Sequence, residues 1–260
     1  MSFGRIWAVC LRYYYFFGKL DHLCDLMFWP AMDILLWGIT SIWIQKNEQG
    51  IPNVALAILT GLVLWQSLWR ACYEVSVNLL QEFWNRNLVN LFSTPLKLRE
   101  WMCSIMLVGL SKILIALTFG SLLVWILYSL NIFSIGWAFL PFAASLTISG
   151  WILGFLSASI IIYFGLRVQM LAWMTAYLFI PFSAVYYPVN ALPKWAQSFS
   201  HALPTSYIFE GMRQILYEQT FSGAKLGISF GLNALYFVLS IILFRFMFEK
   251  SRNKGLSRLE

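Results

Sequence analysis

The stretch Leu79–Trp101, LLQEFWNRNLVNLFSTPLKLREW, is a charged, proline-interrupted segment set between two runs of membrane-crossing length. Leu80, Phe83, Trp84, Leu88, Leu91 and Phe92 recur at i, i+3/i+4 spacing. Glu82, Asn85, Arg86 and Asn90 fall on the other face, which predicts an amphipathic helix lying along a surface. What that surface is follows from the rest of the chain.

Of the 260 residues, 60% are hydrophobic and 11% charged. Apolar runs of roughly 18 residues or more recur, the length that crosses a hydrocarbon core about 30 Å thick. Backbone polar groups in lipid must be satisfied within the segment that carries them, and the runs lack the alternation of barrel strands. The expected fold is therefore an all-α integral membrane protein, one transmembrane domain over 1–260. Six spans are expected: 26–44, 54–77, 104–130, 137–164, 168–187 and 226–247. The first 22 residues have no long apolar core or small-residue cleavage site and do not read as a removable signal peptide. Phe3, Trp7, Cys10, Leu11, Tyr14 and Phe17 instead form a stripe against Arg5, Arg12 and Lys19, as in an interfacial helix.

Lysine and arginine positions set the orientation. With residues 79–101, the N-terminal helix and the tail at 249–260 placed inside, the cytoplasmic face holds Arg5, Arg12, Lys19, Arg86, Lys97, Arg99, Arg167, Lys250, Arg252, Lys254 and Arg258. The outer face holds only Lys46, Lys194, Arg213 and Lys225. The net charge of +7 thus belongs to topology and anionic lipid rather than to nucleic acid. Cys10, Cys24, Cys72 and Cys103 all fall toward the inner side, so no disulfide is expected, and no Cys/His cluster offers a metal site. Outer loops without an N-x-S/T acceptor are compatible with a bacterial inner membrane.

Catalytic signatures are missing from the sequence. His22 and His201 fall on opposite sides, and there is no G-x-S-x-G, H-E-x-x-H or phosphate-binding G-x-x-x-x-G-K-[ST]. No catalysis by this chain is expected, and active transport would need nucleotide hydrolysis by another polypeptide.

The amphipathic segment followed by NLVNLFSTPLKLREW, with Thr94-Pro95 and then Glu100 ahead of the third span, resembles the cytoplasmic coupling segment of ABC-2-type exporter permeases. The stretch ALPKWAQSFSHALPTSYIFEGMRQILY resembles that family's outer segment between spans five and six, through Leu192-Pro193, Pro204 with Tyr207, and Glu210 with Arg213. Length, span number and topology agree, so the resemblance covers essentially the whole chain. It implies half of an exporter: two permeases form the path, and two ATPase subunits carrying ATP and Mg dock beneath. Neither ATP nor any other cofactor is expected on this chain. Partners implied are the ATPase, a second copy or a related permease, and membrane lipid. Candidate coupling residues are Glu82, Arg86, Leu91, Thr94, Pro95 and Glu100. Thr94 would cap the next turn, with Pro95 at its first position. A plain interfacial helix without a partner is the competing reading.

Residues 188–225 are expected to dip into the outer leaflet and return as two short helices, with Pro193, Pro204, Tyr207, Glu210 and Arg213 shaping an outer gate. Ile208, Met212 and Ile215 supply an apolar face, and Glu210/Arg213 could equally be a surface i, i+3 pair. Ionisable residues inside spans are functional candidates by default. Here these are Asp33, three residues after Pro30, then Arg70 with Glu74 at i, i+4, and Lys112. Arg70/Glu74 could also be an anchoring ion pair near a span end, and Asp33 could bond helix to helix. Most of the 13 tryptophans suit membrane interfaces, though stacking on a flat or sugar-bearing substrate would use the same rings. Drugs, lipids and (lipo)polysaccharides are the substrates the resemblance suggests. A nucleotide-independent channel or assembly subunit, or less favourably an intramembrane enzyme, are the other classes.

Overall fold

A computed structural model describes residues 1–17, 20–47 and 53–255, with the side chains of 16–23 left aside. Lys19, Arg258 and the side chain of His22 lie outside the described residues, as does the tail beyond 255. The helices are α1 (Phe3–Phe17), α2 (Leu20–Asn47), α3 (Val54–Trp84), α4 (Leu88–Ser93), α5 (Leu98–Tyr128), α6 (Phe139–Phe164), α7 (Leu171–Phe179), α8 (Lys194–Ala202), α9 (Pro204–Glu218) and α10 (Gly223–Asn253). Among the described residues there is no strand.

Five helices are long and apolar enough to span: those covering 24–47, 54–84, 98–128, 132–168 and 223–253. The expected fifth span is present only as the shorter apolar helix Leu171–Phe182. At about 1.5 Å per residue it rises roughly 18 Å. Gly165 at φ 74° ends α6 before it, and Pro181 and the left-handed Ala184 break it at its far end. The hydropathy of 168–187 is continuous, but backbone geometry divides it.

α3 is the axis of the bundle. Of its apolar window 89% is buried, against 22% in α2 and 17% in α10. Around it pack α6, α5, α2, α7 and α9, and α10 lies outside α6. The peripheral helices turn Phe28, Leu36, Ile39 and Trp43 (α2), Leu114, Leu122 and Trp125 (α5), and Leu235, Leu239 and Ile242 (α10) outward. Apolar bands of that height are what lipid accepts and water does not.

Without a hydrophobic drive between helices in lipid, close packing holds the axis together. Gly150 and Gly154 of α6, four residues apart, let α3 approach. A Cβ on Gly150 would meet the Leu68 carbonyl oxygen at 2.3 Å, and one on Gly154 would meet Val75 Cβ at 2.8 Å. Ser76 and Ser157 share a hydrogen bond across the same seam. α6 is joined to α10 by hydroxyls and an amide: Ser145 with Ser229 at 2.8 Å, Ser149 donating to Asn233 at 2.8 Å, and Asn233 donating to the Ser145 carbonyl at 2.9 Å.

The residue 79–101 segment departs from expectation. α3 runs unbroken from the second span through Trp84, so Leu79–Trp84 is the end of that span rather than the start of a separate surface helix. Helix α4 is only six residues long, and together with the turns on either side it makes a hook joining α3 to α5. At one end of the bundle α1, the hook and the last turns of α10 meet, with Phe92 against Phe248 at 4.7 Å. At the other end lie α8 and α9.

Gly150→Ala should force α3 and α6 apart and lower thermal stability in detergent by about 1–3 kcal/mol equivalent. Gly231→Ala on α10, where a Cβ meets nothing within 4 Å, should leave the melting temperature unchanged or raise it.

Candidate functional site

The hook is built by two helix-end devices. α3 stops in a Schellman arrangement: Arg86 N–H donates to the Phe83 carbonyl at 3.0 Å and Asn87 N–H to the Glu82 carbonyl at 2.9 Å. Arg86 sits at the left-handed position, φ 47°, where glycine is usual. α5 starts with Glu100 in its first turn folding back to accept from Lys97 N–H at 3.0 Å. Thr94 caps nothing on α5, because Lys97 precedes its first turn. The Thr94 hydroxyl donates to the Leu91 carbonyl at 2.6 Å, closing α4, and Pro95 lies in the extended link instead of opening a helix.

Glu82 and Glu100, both wholly buried, are the polar heart of this end. Glu82 accepts from the Arg12 guanidinium at 2.7 Å, the Tyr13 hydroxyl at 2.9 Å and the Asn87 amide at 2.8 Å. Its place is therefore inside, against α1, and not on the solvent face that the heptad-like spacing suggests. Tyr13 also accepts from Trp101 Nε1 at 2.9 Å. Burial, and next the Glu82 carboxylate, hold the Tyr13 phenol well above its ordinary pKa, so it stays a donor. Glu100 accepts from Ser2 N–H at 2.8 Å and pairs with Arg5 at 2.9 Å, and Arg5 also donates to the Pro95 carbonyl. α1 thus reaches both ends of the hook.

The rest of α1 follows. Val9, Cys10 and Tyr13 are buried against α5, while Phe3, Trp7, Leu11 and Tyr14 remain exposed as an apolar stripe. Of the stripe expected from spacing, Cys10 is turned to protein, and the Phe17 side chain lies outside the described residues. Leu91, a coupling candidate, is buried with Leu88 and Phe83. The exposed tip consists of Trp84, Asn85, Arg86, Asn90, Ser93, Thr94 and Pro95.

Deeper in the bundle, Arg70 and Glu74 are not a self-contained pair: their closest approach is 3.8 Å. Arg70 is held by Asp25 of α2 at 3.1 Å and by the Asp25 and Leu26 carbonyls. Glu74 is held by Lys112 of α5 at 2.6 Å and by Asn78. The run Asp25–Arg70–Glu74–Lys112 therefore ties α2, α3 and α5 together with balanced charge. Asp25 went unassigned in the sequence because it precedes the apolar run at 26. A buried arginine needing a carboxylate was the available signal. Asp33 stands apart from this run, half-buried and facing Gln66, near the Tyr177 and Tyr186 phenols. Trp37 stacks on Tyr186 with centroids 4.4 Å apart.

At the opposite end, α8 and α9 rise about 14 and 22 Å, each too short to span. Pro204 opens α9, while Pro193 sits just before α8 as its cap. Ile208 and Met212 are buried and Ile215 is partly so. Glu210 and Arg213 lie 3.4 Å apart, but each is committed to backbone. Glu210 accepts from Val189 N–H at 2.8 Å, and Arg213 donates to the Ala184 and Val185 carbonyls. They brace the 184–189 loop, and the Tyr207 hydroxyl donates to the His201 carbonyl at 2.9 Å. Beside them opens a cleft of about 360 Å³ lined by Val54, Ile58, Tyr186, Tyr187, Glu210, Arg213 and Tyr217.

A double-mutant cycle on Arg12→Ala and Glu82→Ala should show coupling. Glu82→Ala alone should cost about 2 kcal/mol of thermal stability, less than a fully buried pair because Arg12 is about one-third exposed. The double variant should recover at least half a kcal/mol of the summed losses. Strict additivity would mean the pair holds nothing.

No curated protein matches this chain. A family model described as ABC-2 type transporter matches residues 26–217, from the first span through the end of α9. That range holds the hook, Arg70, Glu74 and Lys112, and the α8–α9 pair, and leaves α1, Asp25 and α10 outside it. With its helices long enough to cross a bilayer and their lipid-facing apolar bands, the chain is a multi-pass membrane protein belonging to the ABC-2 type transporter family, a family of transport permeases.

Proposed function

We propose that this chain is the permease subunit of an ATP-driven exporter in a bacterial inner membrane, paired with a second permease and driven by separate ATPase subunits docked under the hook. The substrate is an amphiphile, such as a drug, a lipid or a (lipo)polysaccharide. ATP and Mg belong to the partner, and hydrolysis is its task. Each permease contributes one transmembrane domain, here residues 1–260, to the translocation path.

The observation that carries this reading is the division of labour within the hook. Its polar tip at Asn85, Arg86, Asn90 and Ser93–Pro95 is exposed, while its root is fixed by two buried carboxylates and a short helix with buried Leu88 and Leu91. A plain interfacial helix would turn its apolar face to lipid and need no such anchorage. A projection stiff at the root and polar at the tip can pass displacement of a docked subunit into α3 and α5, both long spans. In this scheme Arg86, Thr94 and Pro95 touch the ATPase. Glu82, Leu91 and Glu100 are positioning residues that keep the tip in shape. Pro193, Pro204, Tyr207, Glu210 and Arg213 frame an outer gate, with the neighbouring cleft on its route, and the Asp25–Arg70–Glu74–Lys112 run keeps α2, α3 and α5 in register.

Arg86→Gly separates charge from geometry. Glycine accepts the left-handed turn at least as well, so folding and membrane level should hold or improve by up to about 1 kcal/mol. ATP-dependent transport in proteoliposomes containing the ATPase should fall at least several-fold, while the ATPase keeps hydrolysing. Undiminished transport by Arg86→Gly and by Pro95→Ala would remove the tip from the coupling surface, and permeation independent of nucleotide would favour a channel.

A further inference from the structure

At the end of the bundle that carries the hook, but on the outside of the α6–α10 pair, two lysines gather on one tyrosine. Lys254 Nζ donates to the Tyr163 hydroxyl at 2.9 Å and lies 4.7 Å from the ring centroid, and Lys250 Nζ lies 5.1 Å from the same ring. The lysines are four residues apart on α10, so their like charges repel. Among the described residues no carboxylate forms an ion pair with either, the adjacent Glu249 included. Both lysines are exposed. One turn toward the bundle centre Phe246 is exposed as well, and Lys250 also approaches its ring at 5.7 Å. Phe164, edge-on to Tyr163, is exposed on the α6 side.

The arrangement is amphiphilic in profile: two ammoniums at the rim, an aromatic floor, and an exposed aromatic wall continuing into the apolar band of α10. Lysines complementing the end of a helix need no such convergence, since they would point at the last carbonyls. Here they lean across to a neighbouring helix and meet at the Tyr163 ring.

We infer that Tyr163, Lys250 and Lys254 form a headgroup site for an anionic phospholipid of the adjoining leaflet, with its acyl chains along Phe164 and Phe246. The site needs only that these helices stand in a bilayer, and it does not depend on the exporter reading.

The test uses the full chain in detergent, with bound lipids counted by native mass spectrometry during titration with phosphatidylglycerol or phosphatidylcholine. The wild type should hold one phosphatidylglycerol more tightly than phosphatidylcholine, and K250Q/K254Q should lose that preference by about fivefold per lysine, the attraction of one basic side chain near an anionic surface. K250R/K254R should retain it. Free glycerol phosphate at equal concentration should not displace the lipid, because it lacks the chains that lie on the phenylalanines. Equal wild-type affinity for the two lipids, an unchanged preference in K250Q/K254Q, or displacement by glycerol phosphate would each overturn the assignment. Should the double variant not purify, the wild-type comparison decides alone.

Discussion

Two carboxylates buried where helices end govern how the rest of this molecule is arranged. Glu82 at the last turn of α3 and Glu100 at the first turn of α5 are each enclosed, and an enclosed carboxylate is tolerable only with a full set of donors. Donors come from α1, through Arg12 and Tyr13 on one side and Arg5 with the Ser2 amide on the other. An amphipathic helix that would otherwise float at an interface is thereby fastened to the hook, and the hook is fastened to the two spans it joins. The pairs lie 70 and 95 residues apart along the chain, so the fastening joins segments distant in sequence.

The bundle beyond the hook obeys the bilayer's own constraint. Greasy side chains gain little by meeting each other when the solvent is greasy, so specificity moves to close contact and to hydrogen bonds. Gly150 and Gly154 provide the first at the α3–α6 crossing, and the Ser145, Ser149, Ser229 and Asn233 set provides the second between α6 and α10. Charge inside the membrane follows the same economy of partners. Arg70 and Glu74 each find an opposite charge on a different helix, so one run of four groups fixes three helices instead of two unrelated pairs fixing one.

Much of this architecture was legible in residue order, and the reasons for the rest are physical. Long apolar runs located five helices, with ends up to seven residues off, because a segment that crosses a bilayer is apolar whether it faces lipid or the bundle's core. Across 168–187 the same measure is blind to the backbone: the apolar helix there ends at Phe182, where Pro181 and the left-handed Ala184 break it. Periodicity placed Glu82 on a polar face, but periodicity cannot see that α1 returns to cover that face. The turn at Arg86 lacked its usual glycine, so the break between α3 and α4 did not show and the amphipathic pattern ran across it. Thr94-Pro95 reads as a helix start by local preference, whereas the buried Glu100 sets the start three residues later. Asp25 was missed because it stands one residue outside the apolar run, although Arg70 required a partner of its kind. At the end opposite the hook the prolines and the 208/212/215 spacing anticipated two short helices. The commitment of Glu210 and Arg213 to loop carbonyls and amides, by contrast, has no local signature.

The central claim is that the hook is a cytoplasmic projection, stiff at its root and offered to an ATPase at its tip. Accessibility of its tip tests that most directly. With the native Cys24 and Cys103 replaced by alanine, Ser93→Cys should react with a membrane-impermeant maleimide only from the cytoplasmic side of sealed vesicles, and addition of the ATPase subunit should slow the reaction at least several-fold. Labelling from the outside, or a rate indifferent to the ATPase, would contradict the account.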